Sequence, residues 1–375
     1  MKKKGGITSM KIIDLLNEDK VTLSFEVFPP KTSSKYENVL KAAEKIASLN
    51  PSFMSVTYGA GGGTSAHTVA LAKDIHEKYD VEVMAHLTCV SSTREHVESM
   101  VEQFKENGIE NIMALRGDIP KDGQVGEDYQ YACQLIKELK EKGDFCIGAA
   151  CYPEGHVESP SIQEDIQHLK EKVEAGADFL TTQMFFDNNV LYNFLYKIKE
   201  AGINVPVVAG IMPITNAKQV SRAVQMSGTS IIPYHFKMMV DAFGDNPEIM
   251  KQAGIIYASE QIIDLIANGV KHIHKPAFIF QVYTYTILPA WRRILTDTVL
   301  VISVNYTVSV EIVILDITGS QVYRILTFRR IHHIFLILII SQRFIADTPI
   351  TLRMGCTFIR ILQTGFSFIR VIHPK

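Results

Sequence analysis

The first residue whose chemistry demands an explanation is Glu26, which lies in VTLSFEVFPPK (Val21 to Lys31) among strand-forming apolar residues that end at Pro29-Pro30. An ionised, unpaired carboxylate in such a run costs several kcal/mol, so it is paired, protonated, or set at a strand end facing a cavity. In the last case apolar surroundings raise its pKa and make it a general acid near neutral pH. A salt bridge to a nearby lysine is the bland alternative. Other apolar runs end in polar groups too: Thr57-Tyr58 leading into Gly59 to Gly63, then His86, Arg116-Gly117-Asp118, Tyr152 to His156, Gln183, and Gly210 to Pro213. The YGAGGG loop has the flexibility and free N–H groups to approach a phosphate or a flat ring, although glycine-rich loops are common. Arg116-Gly117-Asp118 sets a cation, a bare backbone and a carboxylate within one turn, with a surface salt bridge as the alternative.

No spacing points to a metal. His86, His156 and His168 lack the i, i+4 pairing of a zinc helix, and His272 and His274 merely share a strand face. A GxSxG nucleophile elbow is absent. The five cysteines, Cys89, Cys133, Cys146, Cys151 and Cys356, form no CxxC pair and read as reduced thiols of a cytoplasmic protein. The N-terminus lacks the apolar run of a signal peptide, so export is not expected.

The elements that must position these groups follow a βα repeat. Strands are expected at Thr22 to Phe28, Phe53 to Thr57, Glu82 to Leu87, Asn111 to Arg116, Phe145 to Cys151, Phe179 to Met184, Val205 to Ile211 and Gly269 to His274. Between them lie helical stretches at Tyr36 to Leu49, Ala66 to Tyr79, Arg94 to Asn107, Tyr129 to Lys142, Ser161 to Ala175 and Asn189 to Ala201, several closed by a glycine stop. Eight strands in roughly 250 residues fit a (β/α)8 TIM barrel, whose chemistry collects at the C-terminal strand ends. An open doubly wound sheet is the alternative, but it needs a glycine-rich fingerprint after its first strand, where this chain has FPPKTSS.

Charge divides the chain. Residues 1–274 hold 27 Lys and Arg against 36 Asp and Glu, whereas residues 275–375 hold 11 against 4, so the formal charge of −2 averages two unlike parts. Nucleic-acid binding is not suggested. The tail is rich in Ile, Val, Thr, Phe and Arg, and its HHIFLILII is too short to span a bilayer. Its near-repeat, TFIRILQ and SFIRVIH, is strand-like. We expect a barrel over 1–274 and an atypical, β-leaning or disordered tail over 275–375, with frameshifted or read-through sequence favoured over a genuine β module.

SFEVFPPK, VTYGAGGGT, AHLTC, ALRGD, CYPEGH, DFLTTQMFFD and VVAGIMPI, in this order, resemble the bacterial methylenetetrahydrofolate reductases from about Ile12 to His274. The resemblance implies a barrel flavoenzyme that uses NADH or NADPH to convert 5,10-methylenetetrahydrofolate to 5-methyltetrahydrofolate, ping-pong through FAD, in one-carbon metabolism and methionine synthesis. It makes Glu26 the general acid, Asp118 a carboxylate beside flavin and pterin, and Gln183 an amide that meets nicotinamide and folate in turn. FAD would be held by Thr57, Tyr58, His86, Arg116, Gly117, Asp118, Tyr131, Ala132, Tyr152, His156, Asp165, His168 and Lys172. A homo-oligomer without membrane or nucleic-acid partners is expected. The family's closing Tyr-Thr-Met/Leu-Asn-Arg/Lys segment is missing, because Lys271 to His274 runs instead into KPAFIFQVYTYTILPAWRRIL. Two alternatives stay open: an impaired flavin- or folate-binding barrel, and an aldolase-type barrel with Lys31 or Lys172 as Schiff-base nucleophile.

Overall fold

Apolar strands that alternate with amphipathic helices can bury both faces only by wrapping the helices around a parallel sheet. The computed structural model describes residues 10–30, 32–58, 65–119, 125–227 and 232–276, and beyond them 299–304, 310–315, 322–328, 334–339, 350–354, 357–364 and 366–372. Lys31 and Gly59 to Gly63 lie outside the described residues. Eight parallel strands close a barrel in chain order: β1 (Thr22–Val27), β2 (Phe53–Val56), β3 (Val83–Thr88), β4 (Asn111–Leu115), β5 (Cys146–Cys151), β6 (Phe179–Thr182), β7 (Val207–Gly210) and β8 (His272–Pro276). The chain is therefore a TIM barrel. Strand β8 starts later than its sequence suggests and reaches Pro276, because Gly269 still belongs to the turn that ends the preceding helix.

Helices α2 (Tyr36–Ala47), α3 (Ser65–Tyr79), α4 (Arg94–Glu106), α5 (Ala132–Lys142), α6 (Ile162–Glu174) and α7 (Asn188–Glu200) fill the expected positions. Thr93, Ser161 and Asp187 cap α4, α6 and α7 by accepting hydrogen bonds from backbone N–H groups of the first turn. A short helix, α1 (Ile12–Asn17), and three helices between β7 and β8, namely α8 (Lys218–Ser227), α9 (Tyr234–Phe243) and α10 (Pro247–Ala267), complete the unit.

Helix α1 plugs the N-terminal end of the barrel. Its Ile12 and Leu16 pack on Phe53, Met84, Met113, Cys146, Phe179 and Val208, one inward residue from each of six strands. Burying each aliphatic side chain contributes roughly 1.5–3 kcal/mol. The helix has no side-chain cap of its own, and the buried Asn111 supplies one from β4: Ile12 N donates to Asn111 Oδ1 at 2.8 Å, while Asn111 Nδ2 donates to the Met10 carbonyl at 3.2 Å. Two residues further along the same faces stand Ser55, His86, Gly148, Thr181 and Gly210, with Leu115 of β4 the apolar exception. The interior thus turns from apolar to polar and small within one layer.

A second core, Met184, Phe186, Ile214, Ala223, Phe236, Met250 and Tyr257, fastens α8–α10 to the segment after β6. Tyr257 Oη donates to the Phe186 carbonyl at 2.5 Å. Helix α10 approaches so closely that a Cβ at Gly254 would lie 1.7 Å from the Ile214 carbonyl oxygen. This packing fixes the backbone on which Gln183 is carried. Among the described residues, no helix is long and apolar enough to cross a membrane.

Residues Val282–Lys375 form a second compact unit. It contains the antiparallel pair β9 (Val299–Val304) and β12 (Ile334–Ile339), and a five-stranded sheet ordered β11 (Val322–Phe328), β10 (Val310–Leu315), β13 (Ile350–Met354), β14 (Thr357–Thr364), β15 (Phe366–Ile372). The near-repeats of the sequence are the adjacent strands β14 and β15, in a register that pairs Arg360 with Arg370.

Candidate active site

Glu26 lies on the inner side of β1, and its Oε2 faces two imidazoles: His86 Nε2 from β3 at 3.7 Å and His274 Nε2 from β8 at 3.9 Å. Hydroxyls orient His274. Its Nδ1 lies 2.8 Å from Ser24 Oγ and its Nε2 3.3 Å from Ser55 Oγ. Ser24 Oγ also reaches the Ile273 carbonyl at 3.2 Å, and this anchorage at Nδ1 leaves the ring with Nε2 facing Glu26. His272, one layer lower, has Nδ1 2.9 Å from Thr22 Oγ1. Both β8 histidines therefore serve hydroxyl partners inside the barrel, and among the described residues no cluster of three His, Cys, Asp or Glu could hold a metal ion.

This geometry corrects the expected electrostatics of Glu26. Burial pushes its carboxyl upward, but His274 and His86 together outweigh burial and hold it below the ordinary glutamate range. The apolar pattern of β1 describes the outer face of the strand, whereas the two imidazoles arrive from strands distant in sequence. Burial, assisted by His274 and opposed by Glu26, pushes His86 down to about 4. His86 is thus neutral at pH 7, and among the described residues its buried Nε2 has no hydrogen-bond partner.

A stability prediction follows from His86. The unfolded imidazole takes a proton near its ordinary value of 6.5, but the folded one resists until about 4. In that window the unfolded chain binds more protons, so the contribution is complete above pH 6.5 and is lost as pH falls toward 4, with a slope of up to about 1.4 kcal/mol per pH unit. His86→Gln is expected to lose less stability than the wild type between pH 7 and pH 5 in urea titrations. Parallel losses in the two proteins would contradict this.

A second cluster sits at the ends of β4 and β5. Arg116 grips Glu158 with two hydrogen bonds, Nη1 to Oε2 at 2.6 Å and Nη2 to Oε1 at 2.9 Å. Asp118 is exposed, and its charge and the Tyr152 hydroxyl both act on Arg116. Tyr152, whose hydroxyl burial pushes up to about 12, meets His156 edge to face at 4.6 Å. The Glu158 backbone N–H donates to His156 Nδ1 at 3.1 Å, and burial holds the ring below the usual histidine value. Lys172 donates to the Ala150 carbonyl at 3.0 Å, and burial lowers its pKa against the opposing pull of Cys151 and Asp165. Asp165 accepts from Ser159 Oγ at 3.0 Å. At the rim Tyr131, beside Ala132 at the start of α5, stacks on His168 with centroids 6.4 Å apart.

The sequence-derived residues thus divide into an inner acid–imidazole group and an outer basic and aromatic group. Among the described residues neither Asp118 nor Gln183 hydrogen-bonds to Glu26; Gln183 Oε1 instead accepts from the Met184 N–H at 2.9 Å. Gly117 stands between Arg116 and Asp118 with φ +88°. Thr57 follows β2 and accepts from Thr68 Oγ1 through its carbonyl at 3.0 Å. Tyr58 has its hydroxyl 2.8 Å from His96 Nε2. Sequence reasoning did not single out Ser24, Ser55 or Glu158, and it considered His274 only as a metal ligand. The period-two alternation of β1 and β8 was the signal available for Ser24 and His274.

A closed parallel barrel with an acid between imidazoles in its mouth, and arginine, lysine and histidine at the neighbouring strand ends, has the layout of a TIM-barrel enzyme. The methylenetetrahydrofolate reductase family model matches residues 11–290. The 5,10-methylenetetrahydrofolate reductase of Pectobacterium carotovorum subsp. carotovorum is 38% identical over 257 residues, covering 68% of this chain and 85% of the relative. That of Escherichia coli (strain K12) is 37% identical over 257 residues, covering 68% and 86%. The chain belongs to the methylenetetrahydrofolate reductase family, whose members act in one-carbon metabolism. Among solved structures, an uncharacterized protein from Clostridium thermocellum that binds two copies of 5-methyl-5,6,7,8-tetrahydrofolic acid superposes with a TM-score of 0.50 at 14% identity, covering 71% of this chain and 93% of that one, which shows the shared fold. Family membership removes the aldolase reading. Of its two candidate lysines, Lys31 lies outside the described residues and Lys172 is turned to a backbone carbonyl.

Proposed function

We propose that the barrel, with its last strand reaching Pro276, carries an FAD-dependent, ping-pong reduction of 5,10-methylenetetrahydrofolate to 5-methyltetrahydrofolate by NADH or NADPH, and that residues 282–375 take no part in it. The observation that carries this reading is the Glu26–His86–His274 cluster, with its buried, unpartnered His86 Nε2 at the barrel mouth. An orphaned polar atom there suits the polar edge of a bound ring, and Arg116, His156 and Lys172 suit a phosphate-bearing ligand. The residues present fit a flavin, which when bound supplies hydride transfer between nicotinamide and folate.

The chain's own residues do the rest. Glu26 gives the proton that opens the folate's five-membered ring to a reactive iminium carbon. His274, with Nε2 3.9 Å from Oε2 and its other nitrogen held by Ser24, orients the carboxyl for that transfer. Asp118 stabilises the cationic folate by its charge. Gln183 contacts nicotinamide and folate in turn, and Thr57, Tyr58, Gly117, Tyr131, Ala132, Tyr152, Asp165 and His168 line the flavin. The purified protein is expected to be yellow and to be bleached by NADH or NADPH without oxygen, and to keep both properties when cut after Gln281. A colourless protein contradicts the flavin reading, and a yellow one that neither donor bleaches supports the impaired barrel instead.

A further inference from the structure

Each of the three nitrogens of the Arg116 guanidinium makes a hydrogen bond. Nη1 and Nη2 hold the two oxygens of Glu158, and Nε donates to the Gly117 carbonyl at 3.3 Å. Glu158 is presented by an anchored turn. Gly155 N donates to the Tyr152 carbonyl at 3.0 Å, Ser159 N to the His156 carbonyl at 2.9 Å, and Ser159 Oγ ties the turn to Asp165 on α6. The Glu158 N–H is itself held by His156 Nδ1. A planar guanidinium grips a carboxylate and a phosphate with the same two-pronged geometry, so a phosphate held by the Nη1–Nη2 fork of Arg116 takes the place of this carboxylate.

We propose that Glu158 is an internal competitor for the ligand's phosphate: it occupies Arg116 until an anionic ligand displaces it, and so lowers the affinity for phosphate-bearing flavins selectively. The proposal rests on the flavin reading above. Displacement costs the Arg116–Glu158 pair and, at a site where Glu158 is 48% exposed, that cost is modest. A flavin without phosphate leaves the pair in place and does not feel it. The opposite possibility is that Glu158 merely braces the Tyr152 to Ser161 turn, in which case removing it weakens every flavin.

The two differ in sign. Full-length chain stripped of flavin is titrated with FAD and with riboflavin, following flavin fluorescence, for the wild type, Glu158→Gln and Glu158→Ala. Both variants are expected to bind FAD about threefold to tenfold more tightly than the wild type, with riboflavin affinity unchanged and with the FAD gain shrinking in high salt. FAD affinity that is unchanged or weaker in both variants overturns the proposal while leaving the flavin reading intact. A wild-type chain that binds neither flavin overturns both.

Discussion

Glu26→Gln is expected to slow folate reduction by about 10²–10⁴-fold while reduction of the flavin by the nicotinamide proceeds near the wild-type rate. The amide keeps the size and polarity of the side chain between His86 and His274, so the barrel mouth is preserved, but it has no proton to deliver. Only the folate half-reaction needs that proton, because opening the five-membered ring protonates a nitrogen leaving group. The effect is large because neither imidazole substitutes for the carboxyl. His86 is held neutral by burial down to about pH 4, and His274 is tethered to Ser24 behind Glu26. Rapid-mixing absorbance resolves the two halves separately. Equal losses in both would remove Glu26 from the role of acid and leave it a structural residue.

Gly117→Val is expected to cost at least tenfold in flavin affinity together with about 1–3 kcal/mol of stability. Gly117 has φ +88°, a conformation that β-branched residues adopt only under strain of roughly that size. It also packs against the end of β3, where a Cβ would lie 3.0 Å from Thr88 Cβ and 3.3 Å from Val90 Cγ1. The turn must move, and it carries Arg116 on one side and Asp118 on the other. Gly202→Ala separates the two effects, because Gly202 has φ +81° with nothing within 4 Å of its added Cβ. That variant should lose some stability and no flavin affinity. Flavin titration and urea unfolding of both variants check the pair; a Gly117→Val protein with wild-type flavin affinity would show that the turn does not position the ligand's partners.

The barrel was legible in the sequence because its signals are local. Apolar runs such as FMSV and amphipathic stretches such as YENVLKAAEKIA carry their period within themselves, and the helix stops before β4, β6 and β7 are glycines at positive φ. Helix α1 was not legible: six residues show little period, and its cap comes from Asn111, far along the chain. The charge environment of Glu26 escaped for the same reason. Its apolar neighbours in β1 are adjacent in sequence, but the imidazoles that reverse its pKa shift come from β3 and β8 and meet it only when the barrel closes. Glu158 was hidden by register of another kind, since a glutamate in a loop after YPEGH reads as solvated until the turn folds it onto Arg116.

The account rests on the acid–imidazole mouth serving a reduced flavin and a folate in succession. The direct measurement takes the chain as purified, reduces it with NADH in the absence of oxygen, and adds 5,10-methylenetetrahydrofolate. The account predicts return of the oxidised flavin spectrum with one equivalent of 5-methyltetrahydrofolate formed per flavin, and failure of that return in Glu26→Gln. A wild-type spectrum that stays bleached, or recovers without 5-methyltetrahydrofolate, would contradict it.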